Sequence, residues 1–353
     1  MRPGFSIARL VRRVLITLGL VAIVVAGAMP APYVIEMPGP VFNAMSKMDG
    51  TPIITVTGAD TYASKDRFDV LTVQTRGTPD SAPTWAEALL ARLNSEMVVV
   101  PMSEVYPPGY TSEIEKQQTT QMMIDSQRDA IAVALRKLGY KFDSFVAVDS
   151  IRNDTPADGV FKVDDQILSV NGKTVEFFED ITSEVSTSKG KELNFTVLRK
   201  GKEVALKLKA FKDTDGQYRV GVFVGNRYDF PVDVKIYLGD VTGPSAGLMF
   251  SLSIYDLMTP GDLSGGAHVA GTGTISSTGE VGAIGGIRLK MIAAKNAGAK
   301  YFLAPRTNCD EIVGHVPQGI RVKTVETFDD ALSILEDIEQ GIPVSPELNC
   351  PAN

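Results

Sequence analysis

From Val14 to Ile35 the chain runs 22 residues without a charge, opened by the apolar run Val14 to Val25. As a helix, a stretch of that length crosses the hydrocarbon core of a bilayer, about 30 Å thick. Arg2, Arg9, Arg12 and Arg13 precede it, and no Lys or Arg recurs until Lys47. By the positive-inside rule the amino end stays in the cytoplasm and the rest of the chain lies outside. Ala26-Gly-Ala28 also fits the small-residue pattern of a cleaved signal peptide, so cleavage is the competing reading and the anchor the preferred one.

The 353 residues suggest about two domains plus connecting material. Hydrophobic residues at 44% and charged residues at 22% match ordinary globular usage, which argues against a multi-span protein and against disorder. Net charge is −7, so without the four leading arginines the body stands near −11. Such a body has no electrostatic reason to bind nucleic acid. Only Cys309, Cys350, His268 and His315 could serve as soft or imidazole ligands, so no metal site is expected. Two cysteines 41 residues apart are more often unpaired, although an oxidising compartment would allow a bond.

After Pro30, Pro32, Pro38 and Pro40, an extended segment enters the first folded region, residues 36–140. Residues 52–75 read as a strand pair, Thr84 to Leu93 as a helix, and Tyr106-Pro-Pro-Gly109 as a turn. A long helix is expected from Ser112 as its cap to Leu138, with Met122, Met123, Ala130, Val133 and Ala134 forming a core stripe.

From Lys141 to Phe211 short strands alternate with turns. Thr155-Pro-Ala-Asp-Gly-Val leads to Asp165-Gln-Ile-Leu-Ser-Val-Asn-Gly172, then a helix from Ile181 to Ser188 and a hairpin from Leu193 to Lys207. This stretch resembles a PDZ domain, which implies a sheet edge that takes an extended peptide. No Gly-Leu-Gly-Phe-like loop stands before the first strand, in Gly139 to Phe145, so capture of a chain terminus is not expected there. Gly172-Lys-Thr174 imitates the end of a phosphate-binding loop, but Ile167 occupies the required glycine position. Gly271-Thr-Gly273 is no dinucleotide fingerprint, because Ser276 occupies the third glycine position.

Gly243-Pro-Ser-Ala-Gly247 stands directly before the helical stretch Leu248 to Met258. Ser245 then sits at a helix start, where free N–H groups and the dipole favour an oxyanion. A serine hydroxyl needs a base, and the bland reading of this residue is a helix cap. In the helix that follows Gly285-Gly286, Lys290 lies at 100° per residue within about 60° of Ile287, Ala293 and Ala294, while Arg288 points away. Lys290 is therefore either a snorkelling lysine or a buried one of depressed pKa, and only the second could act as a base.

Together these stretches resemble the proteolytic domain of the Lon family over about residues 216–340. The family's motifs recur as Gly243-Pro-Ser-Ala-Gly247, Ala270-Gly-Thr-Gly-Thr-Ile275, Gly279-Glu-Val-Gly-Ala-Ile-Gly-Gly286 and the Lys290 segment. The resemblance implies a nucleophile in Ser245, a base in Lys290 and a residue holding the amine in Thr272. Thr242 and Thr274 stand where the family usually carries acids. A membrane anchor, a PDZ-like module and a Lon-like domain without an ATPase module are similar to the extracytoplasmic PDZ-containing Lon-like proteases of Gram-positive bacteria, as are Tyr33 to Pro40 and Tyr106 to Gly109.

The expected architecture is α+β: a basic segment 1–13, an anchor 14–35, an α/β region 36–140 with the PDZ-like domain 141–211, the Lon-like domain 216–340 and a tail 341–353. The expected function is ATP-independent serine endopeptidase activity. Its partners would be polypeptide substrates and, through the first helix, a membrane, with no nucleotide, nucleic acid or cofactor; homo-oligomerisation stays open. A non-catalytic membrane scaffold binding peptides is the alternative. A Gly-x-Ser-x-Gly esterase is weaker, since Asp310 and His315 lie only five residues apart.

Overall fold

The computed structural model describes residues 7–106, 111–213, 216–343 and 350, with the backbone alone for residues 7–10. Pro107 to Gly109 of the expected turn, Arg2 and most of the 341–353 tail lie outside the described residues. The first helix is Ile7–Ala28, and its apolar window Val11–Ala28 is long and apolar enough to cross a membrane. It stops earlier than the uncharged run does. Pro30 and Pro32 end it, and Val34 and Ile35 are apolar because they are buried in the strand Tyr33–Asn43.

Six strands form the central mixed sheet in the order Arg321–Val325, Tyr301–Pro305, His268–Gly271, Arg67–Arg76, Tyr33–Asn43, Val98–Pro101. The first four run parallel to one another, and Tyr33–Asn43 is antiparallel to both of its neighbours. Residues 36–140 and 216–340, set apart by local patterning, thus share one sheet. They share one core as well, in which Phe68, Val70, Ala134 and Leu135 pack with Leu248, Phe250 and Leu252. Ile54–Thr57 pairs with Asp233–Ile236 and not with Arg67–Arg76 as expected, because β-branched alternation identifies a strand but not its partner.

The helix Trp85–Leu93 begins as expected, with Thr84 and Glu87 forming a capping box. The long helix is Ser112–Lys137, capped by the Thr111 hydroxyl and not by Ser112. Its buried face includes Met123, Ser126, Ala130, Val133 and Ala134, whereas Met122 is exposed. The last turn of this helix leads into the PDZ-like body. There an antiparallel sheet has the order Lys202–Lys209, Glu192–Arg199, Gln166–Val170, Ser144–Ile151, Val222–Tyr228. Its core, with Val146, Phe161, Ile167, Phe195 and Val197, is separate from that of the main body. Asn171 and Gly172 both have positive φ, as a tight primed turn requires.

The strand Val222–Tyr228, beyond the expected limit of this module, completes its sheet and supplies its open edge. It faces the helix Phe178–Ser188 across a groove of about 610 Å³. The residues entering that edge strand are Tyr218-Arg-Val-Gly221. The open edge is thus supplied by the last strand of the module and not by Ser144–Ile151, its first. Cys309 and Cys350 form a disulfide, contrary to the unpaired expectation, and it ties Cys350 to the body.

Candidate active site

The serine loop is held from three sides. Gly243 N donates to Thr119 O at 2.9 Å, Ser126 Oγ donates to Pro244 O at 2.9 Å, and Gly273 N donates to Ser245 O at 2.8 Å. Gly247 opens the helix Gly247–Leu257, and a Cβ there would lie 2.7 Å from Ser126 Oγ and 3.0 Å from Ile275 N. Only glycine admits this approach. Ala246, not Ser245, is the helix cap, and it makes no side-chain bond. Ser245 is therefore free of capping duty and only partly buried. Among the described residues, no carbonyl pairs with the amide N–H of Ser245 or Ala246. Those donors stand at the positive end of the helix.

The helix Ile287–Asn296 starts at Gly286, whose φ of 68° is left-handed and whose added Cβ would meet Val73 at 2.7 Å. From this start the expected face turns inward: Ile287, Ala293, Ala294 and Lys290 are buried, and Arg288 is exposed. Lys290 is 3% exposed, and its Nζ donates to Ser245 Oγ at 2.8 Å and to Thr272 Oγ1 at 3.1 Å. Thr272, 1% exposed, donates its own hydroxyl proton to Ser245 O at 2.9 Å. With that proton committed, the Thr272 oxygen presents lone pairs to the amine. The structure thus brings Ser245, Thr272 and Lys290 into mutual contact.

Burial pulls the Lys290 pKa down to about 8, and no neighbouring carboxylate opposes it. Ser126 and Thr119, on the helix Ser112–Lys137, were not anticipated as supports of the loop. The available signal was a serine in an apolar stripe, between Met123 and Ala130.

The same helix meets the PDZ-like body. Asp129 Oδ1 accepts from Asn226 Nδ2 at 3.1 Å and from the Tyr228 hydroxyl, both on the edge strand. Asn226 Oδ1 in turn accepts from Phe178 N at the start of the groove helix. Burial raises the Asp129 pKa to about 6 against the opposing hydrogen bonds of Tyr228 and Asn226. Arg136 donates to Ser277 O at 2.7 Å and lies over the rings of Phe142, Phe177 and Tyr228. One helix therefore touches both the edge strand of the PDZ-like body and the serine loop.

Comparison with known proteins matches these two units. Residues 229–337 fit the family model of the Lon protease (S16) C-terminal proteolytic domain, and residues 128–210 fit that of the PDZ domain. The chain is 37% identical to the Lon protease of Treponema pallidum over 95 residues, covering 26% of this chain and 11% of that protein. It is 37% identical to the Lon protease of Campylobacter concisus over 113 residues, covering 31% and 14% respectively. The chain thus spans less than a sixth of the length of these relatives. A PDZ domain of an SdrC-like protein from Listeria innocua is 21% identical, covering 23% of this chain and 92% of that one, with a TM-score of 0.22. The chain carries a Lon protease C-terminal proteolytic domain and, ahead of it, a PDZ domain.

Proposed function

We propose that the chain is a membrane-anchored serine endopeptidase in which Ser245 is the nucleophile and Lys290 the general base. The observation that carries this reading is a buried lysine amine whose polar contacts, among the described residues, are two hydroxyls, one of them Ser245 Oγ at 2.8 Å. In the neutral state the amine takes the Ser245 proton as Oγ attacks the scissile carbonyl. The N–H groups of Ser245 and Ala246 face the developing oxyanion. The resulting ammonium gives its proton to the leaving amine, and a water activated by the same lysine then hydrolyses the acyl-enzyme.

Thr272 is the positioning residue, since it binds both the Lys290 amine and the Ser245 carbonyl. Thr272→Val keeps the shape and loses both bonds, so kcat falls by about 10²-fold while KM changes little. Thr272→Ser restores most of the rate. Peptidase assays on the three proteins decide this, and an unchanged kcat in Thr272→Val overturns the assignment.

The anchor, residues 14–35 by charge and Val11–Ala28 by helix, carries the body on the extracytoplasmic side. The arginines before it and the Cys309–Cys350 disulfide both favour that side. The PDZ domain, residues 141–211 extended by the strand to Tyr228, holds extended polypeptide in its groove and governs access to Ser245. No Walker motif occurs in the 353 residues, so substrates are unfolded or flexible segments and turnover is independent of nucleotide. The test is degradation of an unfolded protein by the full chain in detergent, with and without ATP and magnesium. Equal rates in both, lost in Ser245→Ala, are expected. Acceleration of that degradation by ATP overturns the nucleotide reading, and binding without cleavage supports a peptide-binding scaffold instead.

A further inference from the structure

The helix Trp85–Leu93 is inverted relative to an ordinary surface helix. Its inward face is made of Ala88 and Ala91, while Trp85, Leu89, Leu90 and Leu93 are 46%, 63%, 67% and 77% exposed. At 100° per residue these four large side chains span about 140° of the helix surface, a continuous apolar stripe. Stripes of this kind mark an interaction surface. Met29 and Val98, nearby in the fold, add to the same exposed apolar set.

The location of the stripe says what covers it. The membrane-spanning helix ends at Ala28, and the next residues are bonded directly to the stripe's helix. Trp85 N donates to Met29 O at 3.1 Å, Ala31 N donates to Pro83 O at 2.7 Å, and Pro30 bridges to Thr84. Gly27 faces Ala86. The short helix is thus fixed at the level where the chain leaves the hydrocarbon. A tryptophan edge-on to Tyr33 and an exposed Arg92 in the last turn suit the headgroup boundary, where aromatic rings lie and cations reach phosphates.

We propose that Trp85, Leu89, Leu90 and Leu93 insert into the outer face of the bilayer as a second membrane contact beside the spanning helix. The inference rests on the anchoring reading above. It gives the body a fixed tilt on the membrane, because a span alone leaves the body free to swivel, whereas a span plus an in-plane helix defines a surface.

Trp85 is the only tryptophan of the chain and serves as the reporter. The full chain is reconstituted into phosphatidylcholine–phosphatidylglycerol vesicles, and retention is checked by carbonate extraction. Lipids brominated near the top of the acyl chain are expected to lower Trp85 emission by about half, while aqueous iodide quenches it weakly. A Leu89→Ser, Leu90→Ser, Leu93→Ser variant stays in the carbonate pellet but loses lipid quenching and gains iodide quenching. Leu93→Ser alone shifts both in the same direction, which covers the case of a triple variant that does not fold. Trp85 quenched by iodide and not by brominated lipid, in a retained chain, overturns the proposal. Shielding from both quenchers also overturns it, and assigns the stripe to a second copy of the chain. Release by carbonate removes the anchor reading, and the inference with it.

Discussion

Ser245→Ala and Lys290→Met are each expected to lower turnover of an unfolded protein by at least about 10³-fold, and the double variant to lose little more. On the proposed mechanism, nucleophile and base act as one unit through a single 2.8 Å contact. Truncating either leaves only the oxyanion donors and substrate binding. The wild-type rate should also rise with pH. With a pKa of about 8, roughly one chain in ten holds the neutral amine at pH 7, and most do above pH 9. Initial rates on an unstructured peptide from pH 6 to 9.5 measure this, and a flat profile removes Lys290 as the base. Cleavage retained in Ser245→Ala removes the serine mechanism altogether.

Lys290→Met is expected to make the inactive protein more stable at pH 7. The sign follows from proton binding. The ordinary lysine value of 10.5 holds in the unfolded chain, and burial brings the folded value to about 8. Between those two pH values the unfolded chain carries the extra proton, so native stability rises with pH across that window. Below pH 8 the whole penalty applies, worth about 3 kcal/mol. Methionine removes it but forfeits hydrogen bonds to Ser245 and Thr272, each worth about 1 kcal/mol. The net gain is about 1 kcal/mol at pH 7, vanishes near pH 9 and is a loss at pH 10.5. Urea midpoints of both proteins at the two pH values measure the crossover, and a variant less stable at pH 7 contradicts the cost assigned to the buried amine.

The candidate site was legible because its determinants are local. Ser245 is marked by two glycines and a following helix, and the inward face of Lys290 follows from helical spacing over a few residues. Whether burial actually depresses that lysine was not legible, since it depends on packing. Strand partners were less legible for the same reason. Nothing near Ile54–Thr57 reveals that Asp233–Ile236 completes it, and nothing in Ser144–Ile151 reveals that its outer neighbour is Val222–Tyr228. Alternating side chains specify a face, while the partner is chosen by chain reversals far away. Ser126 was passed over because a lone serine on a helix ordinarily returns its proton to its own backbone, and here it donates to Pro244.

The shared central sheet has a consequence for the order in which the molecule is made. His268 meets Asp69 across 199 residues of sequence, and their strands pair directly. The early strand Arg67–Arg76 has no neighbour on that side until the last third of the chain arrives. Forming such a non-local pairing is slow, and it comes after the PDZ domain, whose own sheet is local, has had time to fold. Thr272 and Lys290 both follow this late strand, so Ser245 and Lys290 meet only when the last third of the chain has been made. On the function proposed above, a nascent chain still being threaded through a membrane therefore has no working site with which to cut itself or its neighbours.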